Sequence, residues 1–212
     1  MKKISLIAIV MVLLTSCAKK TTLDNIFVSS TKDKDLSSLV SQNLISTEDS
    51  ALIVDWFENE EFYEEDSLTY GYIVDQVRAY KEKESKNQKI IEELNKIVAV
   101  SFVKKEAATY WGVRKVVFDV EVSNKSDRDI NGYTVTVTFR NGAGEMISEA
   151  TWSLTQPVKA NSTAKTRCSL SYENSDYNKL SIIEAADIKQ LKLDYKVSQI
   201  IYADGTSEGI EE

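Results

Sequence analysis

The chain has 212 residues, with 26 Lys plus Arg against 33 Asp plus Glu and a formal net charge of −7. That acidity argues against a nucleic-acid partner, and the complete absence of histidine closes Ser-His-Asp and Cys-His activation, His-ligated zinc and the usual near-neutral proton shuttle. Hydrophobic residues make up 42% of the chain, core enough for one domain of ordinary size with an appendage.

Lys2 and Lys3, the apolar run 4–14 and the small pair Thr15-Ser16 follow one another in the order of a secretory signal. The run is too short to span a bilayer. Leu14-Thr15-Ser16-Cys17 resembles the lipobox of bacterial lipoproteins. The resemblance implies cleavage of residues 1–16, diacylglycerol on the Cys17 thiol and a third acyl chain on its amine. The expected partner is therefore the lipid bilayer, held through acylated Cys17. Each buried methylene contributes about 0.8 kcal/mol, so two or three chains make such an anchor effectively permanent. Ala18 stands where many inner-membrane lipoproteins carry Asp. The expected address is the cell envelope: the outer membrane if the host has one, otherwise the extracytoplasmic face of the cell membrane. Lys19 and Lys20 would each add about 1 kcal/mol at an anionic surface, or serve as solvated linker. The competing reading is an ordinary cleaved signal with Cys17 as a bystander.

Residues 17–34 are rich in Ser, Thr, Lys and Asp, broken by Leu23, Ile26 and Phe27. They predict a lipidated flexible tether that spans roughly 55 Å at about 3.3 Å per residue, less if the apolar trio docks. Residues 35–96 predict a helical segment. Ser46 with Asp49 forms a weak capping box ahead of Leu52, Ile53, Trp56 and Phe57 on one face. A longer helix beginning near Ser67 carries a heptad-like seam of Ile73, Val77, Tyr80, Ile91 and Leu94. Its continuity through the polar stretch 81–89 is open.

At Ile97 the period changes to two. Val98-x-Val100-x-Phe102 alternates, as do Arg114-x-Val116-x-Phe118-x-Val120-x-Val122 and Tyr133-x-Val135-x-Val137-x-Phe139. Turn clusters at 124–129 and 141–144 separate these strands from three more, around 146–155, 163–172 and 188–202, with a helical turn over 178–186. Parity slips between Val197 and Ile200, which predicts a bulge near Ser198 or Gln199. The predicted fold class is α+β: a helical segment, then an antiparallel β-sandwich over 97–206 and an acidic tail over 207–212.

Val120-Glu121-Val122-Ser123-Asn124-Lys125-Ser126, Tyr133-Thr134-Val135-Thr136-Val137 and Val158-Lys159-Ala160-Asn161-Ser162-Thr163 together resemble the FxLYD-type immunoglobulin-like domains of bacterial envelope lipoproteins. The closing Ile200-Ile201-Tyr202-Ala203-Asp204-Gly205-Thr206 is similar to the ending of lipoproteins in which helices precede such a domain. The likeness covers residues 97–206 and implies an immunoglobulin-like sandwich. It brings no catalytic residues with it.

The remaining motifs favour structure over chemistry. Glu58, Glu60, Glu61, Glu64, Glu65 and Asp66 crowd nine positions without the spacing of a calcium loop, so a solvated acidic turn is expected. Cys168 lies in the apolar register of a strand and predicts a buried, inert thiol. Asn124-Lys125-Ser126 and Asn161-Ser162-Thr163 match a glycosylation sequon, which a bacterial signal turns into ordinary turn sequence. Tyr70, Tyr72 and Tyr80 with Tyr110-Trp111 form either an aromatic ligand platform or packing. No catalytic residue, cofactor or metal site is expected. The function expected is that of a membrane-anchored binding or scaffolding module, not an enzyme, with an envelope protein as partner at Ile73, Val77, Tyr80, Ile91 and Leu94. A carbohydrate- or peptide-binding module, or a His-independent hydrolase with paired carboxylates, are the alternatives.

Overall fold

The computed structural model describes residues 21–59, 68–173 and 176–210, without the side chains of 56, 58 and 59. Cys17, Lys19, Lys20 and the acidic residues Glu60, Glu61, Glu64, Glu65 and Asp66 lie outside the described residues. So do the side chains of Trp56 and Glu58. The chain forms two compact units, one ending at Lys81 and the other beginning at Glu82.

In the first unit, Ser46 sets the start of a helix. Its Oγ accepts the Asp49 N–H at 2.9 Å while its own N–H donates to Asp49 Oδ2 at 3.2 Å, the reciprocal capping expected from sequence. The helices are α1 (Lys32–Ser41), α2 (Thr47–Asn59) and the beginning of α3 (Tyr70–Ile97). Leu36 and Leu39 of α1, Ile53 of α2 and Ile73, Val74 and Val77 of α3 pack into one core. The chain is already held at its first described residues. Gly71 N–H donates to Leu23 O at 2.7 Å, Tyr70 N–H to Asn25 O at 3.1 Å and Phe27 N–H to Leu68 O at 2.7 Å. Phe27 also stacks on Phe57 with centroids 4.2 Å apart. A tether reaching to residue 34 is thereby corrected: Leu23 and Phe27 pack on the core of the first unit while Ile26 stays exposed, and α1 starts at Lys32, not at 35.

Helix α3 is continuous through 81–89, which settles the open question of its length. In the second unit, all strand pairs are antiparallel. One sheet has the order β1-β2-β5 and the other β4-β3-β6-β7. The strands are β1 (Val98–Tyr110), β2 (Val113–Asn124), β3 (Ile130–Arg140), β4 (Met146–Leu154), β5 (Ser162–Ser171), β6 (Lys192–Tyr202) and β7 (Ser207–Gly209), with α4 (Tyr177–Ala185) between β5 and β6. The class is α+β with two antiparallel sheets, as predicted. Alternate residues of both sheets, including Val116, Phe118, Val120, Val135, Val137 and Phe139, share one core with Leu180 and Ile183 of α4.

Three details depart from the sequence reading or sharpen it. Strand β1 runs on to Tyr110 instead of fading after Phe102: a bulge at Val103 shifts its register, and the residues 104–109 beyond it are polar or small and show no apolar alternation. The predicted bulge in β6 falls at Ser198, skipped between the pairs Thr134–Gln199 and Val135–Val197. Residues 207–209, expected in a tail, add β7 to the second sheet.

Asn124 is buried, its Nδ2 donating to Arg128 O at 2.7 Å and Val158 O at 3.2 Å, so it serves the turn. Cys168 is buried and burial pushes its thiol up to about 11, the inert state expected. Among the described residues, Tyr133 Oη is the one buried side-chain polar atom without a partner. A desolvated hydroxyl contributes nothing in return for its burial. Tyr133→Phe should therefore leave stability unchanged or raise it by about 1 kcal/mol, read as a urea midpoint at constant slope; a clear loss would reveal a hydrogen-bond partner for the hydroxyl.

Candidate functional site

The β1–β2 connection is a two-residue turn. Tyr110 pairs with Val113, and both central residues have positive φ, Trp111 at 54° and Gly112 at 82°. Two such residues match the right-handed twist of the flanking strands, which is why this turn favours Asn-Gly. Gly112 adopts the conformation freely. Trp111 does not, since a bulky L-residue there is a conformational outlier, and its side chain is 101% exposed. Neither packing nor backbone preference accounts for a tryptophan at this position.

The base of the hairpin is firmly held. Arg114 Nε donates to Glu184 Oε2 at 3.0 Å, and a second guanidinium nitrogen reaches Oε1. Tyr172 Oη donates to the same carboxylate at 2.6 Å, and the Arg114 guanidinium lies 5.6 Å from the centre of the Tyr172 ring. Tyr172 in turn meets the exposed Tyr177 edge-on at 5.2 Å. The guanidinium beside Glu184, helped by the Tyr172 hydroxyl, holds that carboxyl below the usual carboxylate range. Glu184 is fixed by α4, whose C-terminal carbonyls are gathered by Lys105 of β1. The Lys105 ammonium donates to Ile183 O at 2.6 Å, to Glu184 O at 2.7 Å and to Ala186 O, a cation on the negative end of a helix.

Tyr110 forms a wall of a hollow of about 260 Å³ over β2 and β5 that reaches Arg167. Arg167 also lines a second hollow of about 510 Å³ with Val103, Asp119, Glu121, Gln156 and Lys165. Arg167 Nε donates to Asp119 at 2.7 Å. The first sheet thus offers Tyr110 beside a floor of ion pairs.

The predicted partner seam has another role. Ile73 and Val77 lie in the core of the first unit and Leu94 in that of the second. Ile91 is half-buried, and Tyr80 alone of the five is well exposed, at 57%. The apolar period along α3 is used for the chain's own packing. Tyr70 is buried with its hydroxyl donating to Asp35 at 2.9 Å, and Tyr72 and Tyr80 belong to the first unit whereas Tyr110 and Trp111 belong to the second. Among the described residues no group of three or more acidic or cysteine side chains is placed to hold a metal ion, and no helix is long and apolar enough to cross a membrane.

No protein-family model matches the chain, and no curated protein matches it. Among solved structures it is similar in part to the X-ray structure of Northeast Structural Genomics Consortium target SoR45, with 10% identity and a TM-score of 0.30 over 56% of this chain and 85% of that one. It is similar also to the Salmonella enterica trimeric lipoprotein SadB, with 6% identity and a TM-score of 0.28 over 86% of this chain and 94% of that one. Likenesses this weak transfer neither fold nor function.

Two predictions concern the tip. Trp111→Asn, which tolerates the left-handed region, should stabilise the protein by about 1 kcal/mol, measured as a higher melting temperature; a lower one would mean that the indole packs in solution. Because the Glu184 carboxyl lies below its ordinary value when folded, its contribution is complete above about pH 4.5 and is lost as pH falls through the depressed value. The Arg114 side-chain NMR signals should therefore stay in their neutral-pH positions down to pH 4.5 and move only below it. Movement between pH 7 and 5 would contradict the pairing.

Proposed function

We propose that this chain is a bacterial envelope lipoprotein acting as a binding or scaffolding module, with its second unit an immunoglobulin-like sandwich. The observation that carries the binding role is Trp111. A fully exposed tryptophan held at positive φ serves no folding purpose, and a backbone outlier of this kind points toward function. A rigid aromatic is also the side chain most suited to anchor an interface, since it buries a large area for few rotatable bonds. The immunoglobulin-like reading is supported by strand order. The first, second and fifth strands share one sheet, and the third, sixth and seventh share the other. The fourth joins the third, where constant-type domains place it in the opposite sheet.

The envelope address rests on the sequence through Cys17. A ligand-binding reading is favoured by the two hollows that share Arg167, whose paired charges, with Tyr110 at the smaller one, suit a carbohydrate or peptide. Trp111 is the contact in the first reading, and Tyr110 with Arg167 in the second.

Expression in a bacterial host tests both halves. Wild-type protein should stay with membranes until detergent is added, whereas Cys17→Ser should be released by buffer alone; a wild type that is released without detergent would remove the anchor. In detergent extracts, cross-linking through a photoreactive group at Tyr110 should yield a defined adduct that Trp111→Ala reduces at least tenfold, corresponding to the roughly 1.4 kcal/mol or more expected of an interface anchor. An adduct indifferent to Trp111 would remove the tip from the binding surface.

A further inference from the structure

Beside β7 the second sheet ends in an open edge. Tyr202 N–H donates to Thr206 O at 2.9 Å and Ile210 N–H to Ser198 O at 3.0 Å, and Glu208 pairs with Ile200 between them. Backbone groups in an antiparallel ladder alternate in direction, so Glu208 turns its N–H and C=O toward β6. Ser207 and Gly209 turn theirs away, and β7 has no strand on that side. Lower on the same edge α3 closes the sheet: Val197 N–H, left over at the β6 bulge, donates to Asn95 Oδ1 at 2.9 Å. The helix seals the edge beside β6 but not beside β7.

The space left is a groove of about 460 Å³ within the second unit, inside the roughly 300–1,000 Å³ range of ligand sites. One wall holds Ser207 and Gly209, and the other holds Ile90 and Leu94 of α3. The two outward-facing residues are two positions apart, about 6.8 Å along a strand, which is the repeat of another extended backbone. A compact ligand does not meet donors and acceptors in this spacing. The charges are uneven, two carboxylates, Glu93 and Glu208, against Lys89. Glu93 has Lys96 at 2.6 Å, but Glu208 has its guanidinium, that of Arg128, only at 3.5 Å. In an acidic chain the complementary occupant is basic.

We propose that this groove receives an extended peptide segment of a partner protein, alternating aliphatic and basic residues, as an eighth strand on the second sheet. Main-chain bonds to Ser207 and Gly209 supply affinity, and Ile90 and the carboxylates select the side chains, the division of labour of strand addition. The site deepens the binding-module reading and rests on it, but it uses a surface other than Trp111.

The test uses the full chain and a fluorescein-labelled, amidated Lys-Val-Lys-Val-Lys-Val-Lys peptide, followed by fluorescence anisotropy at physiological salt. The same peptide N-methylated at every residue keeps the charge and side chains but has no amide donors. Saturable binding by the first and at least tenfold weaker binding by the second are expected. Ser207→Pro, which removes an N–H already turned away from β6 and is tolerated at an edge, should weaken binding at least tenfold. In the wild type, hydrogen exchange at the Ser207 and Gly209 amides should slow when the peptide is added, a readout that needs no variant. Equal binding of both peptides, absence of saturable binding, or unchanged exchange at the two amides would overturn the proposal. If those fail while Trp111-dependent cross-linking persists, the strand site alone falls. If the amides slow while that cross-linking is absent, it is the tip reading that falls.

Discussion

Four aromatic rings join the two sheets, and the rest of the second unit depends on that contact. Phe118 of β2 lies 5.4 Å from Phe139 of β3 and 6.2 Å from Trp152 of β4, and Phe102 of β1 lies 6.3 Å from Trp152. Trp152 Nε1 also donates to Ser169 O of β5 at 3.2 Å, tying an edge strand of one sheet to an edge strand of the other. Rings of this size bury about 150–250 Å² each, worth several kcal/mol apiece at about 25 cal/mol per Å². With the sheets joined there, their outer faces and turns are free of packing duty. Those faces carry the ion pairs, and one turn carries Trp111.

Legibility in the sequence followed burial. Strands β2 and β3 alternate cleanly because each has one face in the core, and the slip from Val197 to Ile200 marked the β6 bulge because apolar residues stand on both sides of it. The outer half of β1 carried no such signal. Past Val103 its residues are Lys, Glu, Ala and Thr, and most of them have little core to face. Two-residue spacing between Tyr110 and Val113, with Gly112 at the second position, was the available sign of a tight hairpin. The seam on α3 teaches a different lesson: periodicity shows that a face is buried and is silent about what buries it. Ile73, Val77 and Leu94 were read as a stripe for a partner protein, and the neighbours they have are intramolecular.

Local rules are broken at few places in the second unit, and the breaks are not alike. Tyr133 breaks the rule that buried hydroxyls are partnered, inside the core. Trp111 and the β7 edge break rules at the surface, where unspent aromatic area and unpaired backbone groups are normally hidden. A sequence that is locally consistent nearly everywhere else places its exceptions where binding would use them. The two surface exceptions also differ in kind. An indole recognises shape and apolar area, whereas an edge strand recognises any extended backbone and leaves selection to its flanking side chains.

The bulge at Val103 connects β1 to α4. Were Val103 paired in register opposite Asp119, Lys104 would lie opposite Phe118 on the inner face and Lys105 would point to solvent; because Val103 is bulged out, Lys105 takes the inner position. There its ammonium gathers the last carbonyls of α4, and burial lowers its pKa without depriving it of acceptors. Helix α4, so fixed, presents Glu184 to Arg114, and Arg114 stands three residues from Trp111 at the foot of the turn. The bulge thus sets the register that brings Lys105 to the end of α4. Bulges recur beside functional sites because they re-aim side chains without dismantling a sheet. Here the re-aimed side chain is Lys105, which together with the Arg114–Glu184 pair joins β1 and β2 to α4.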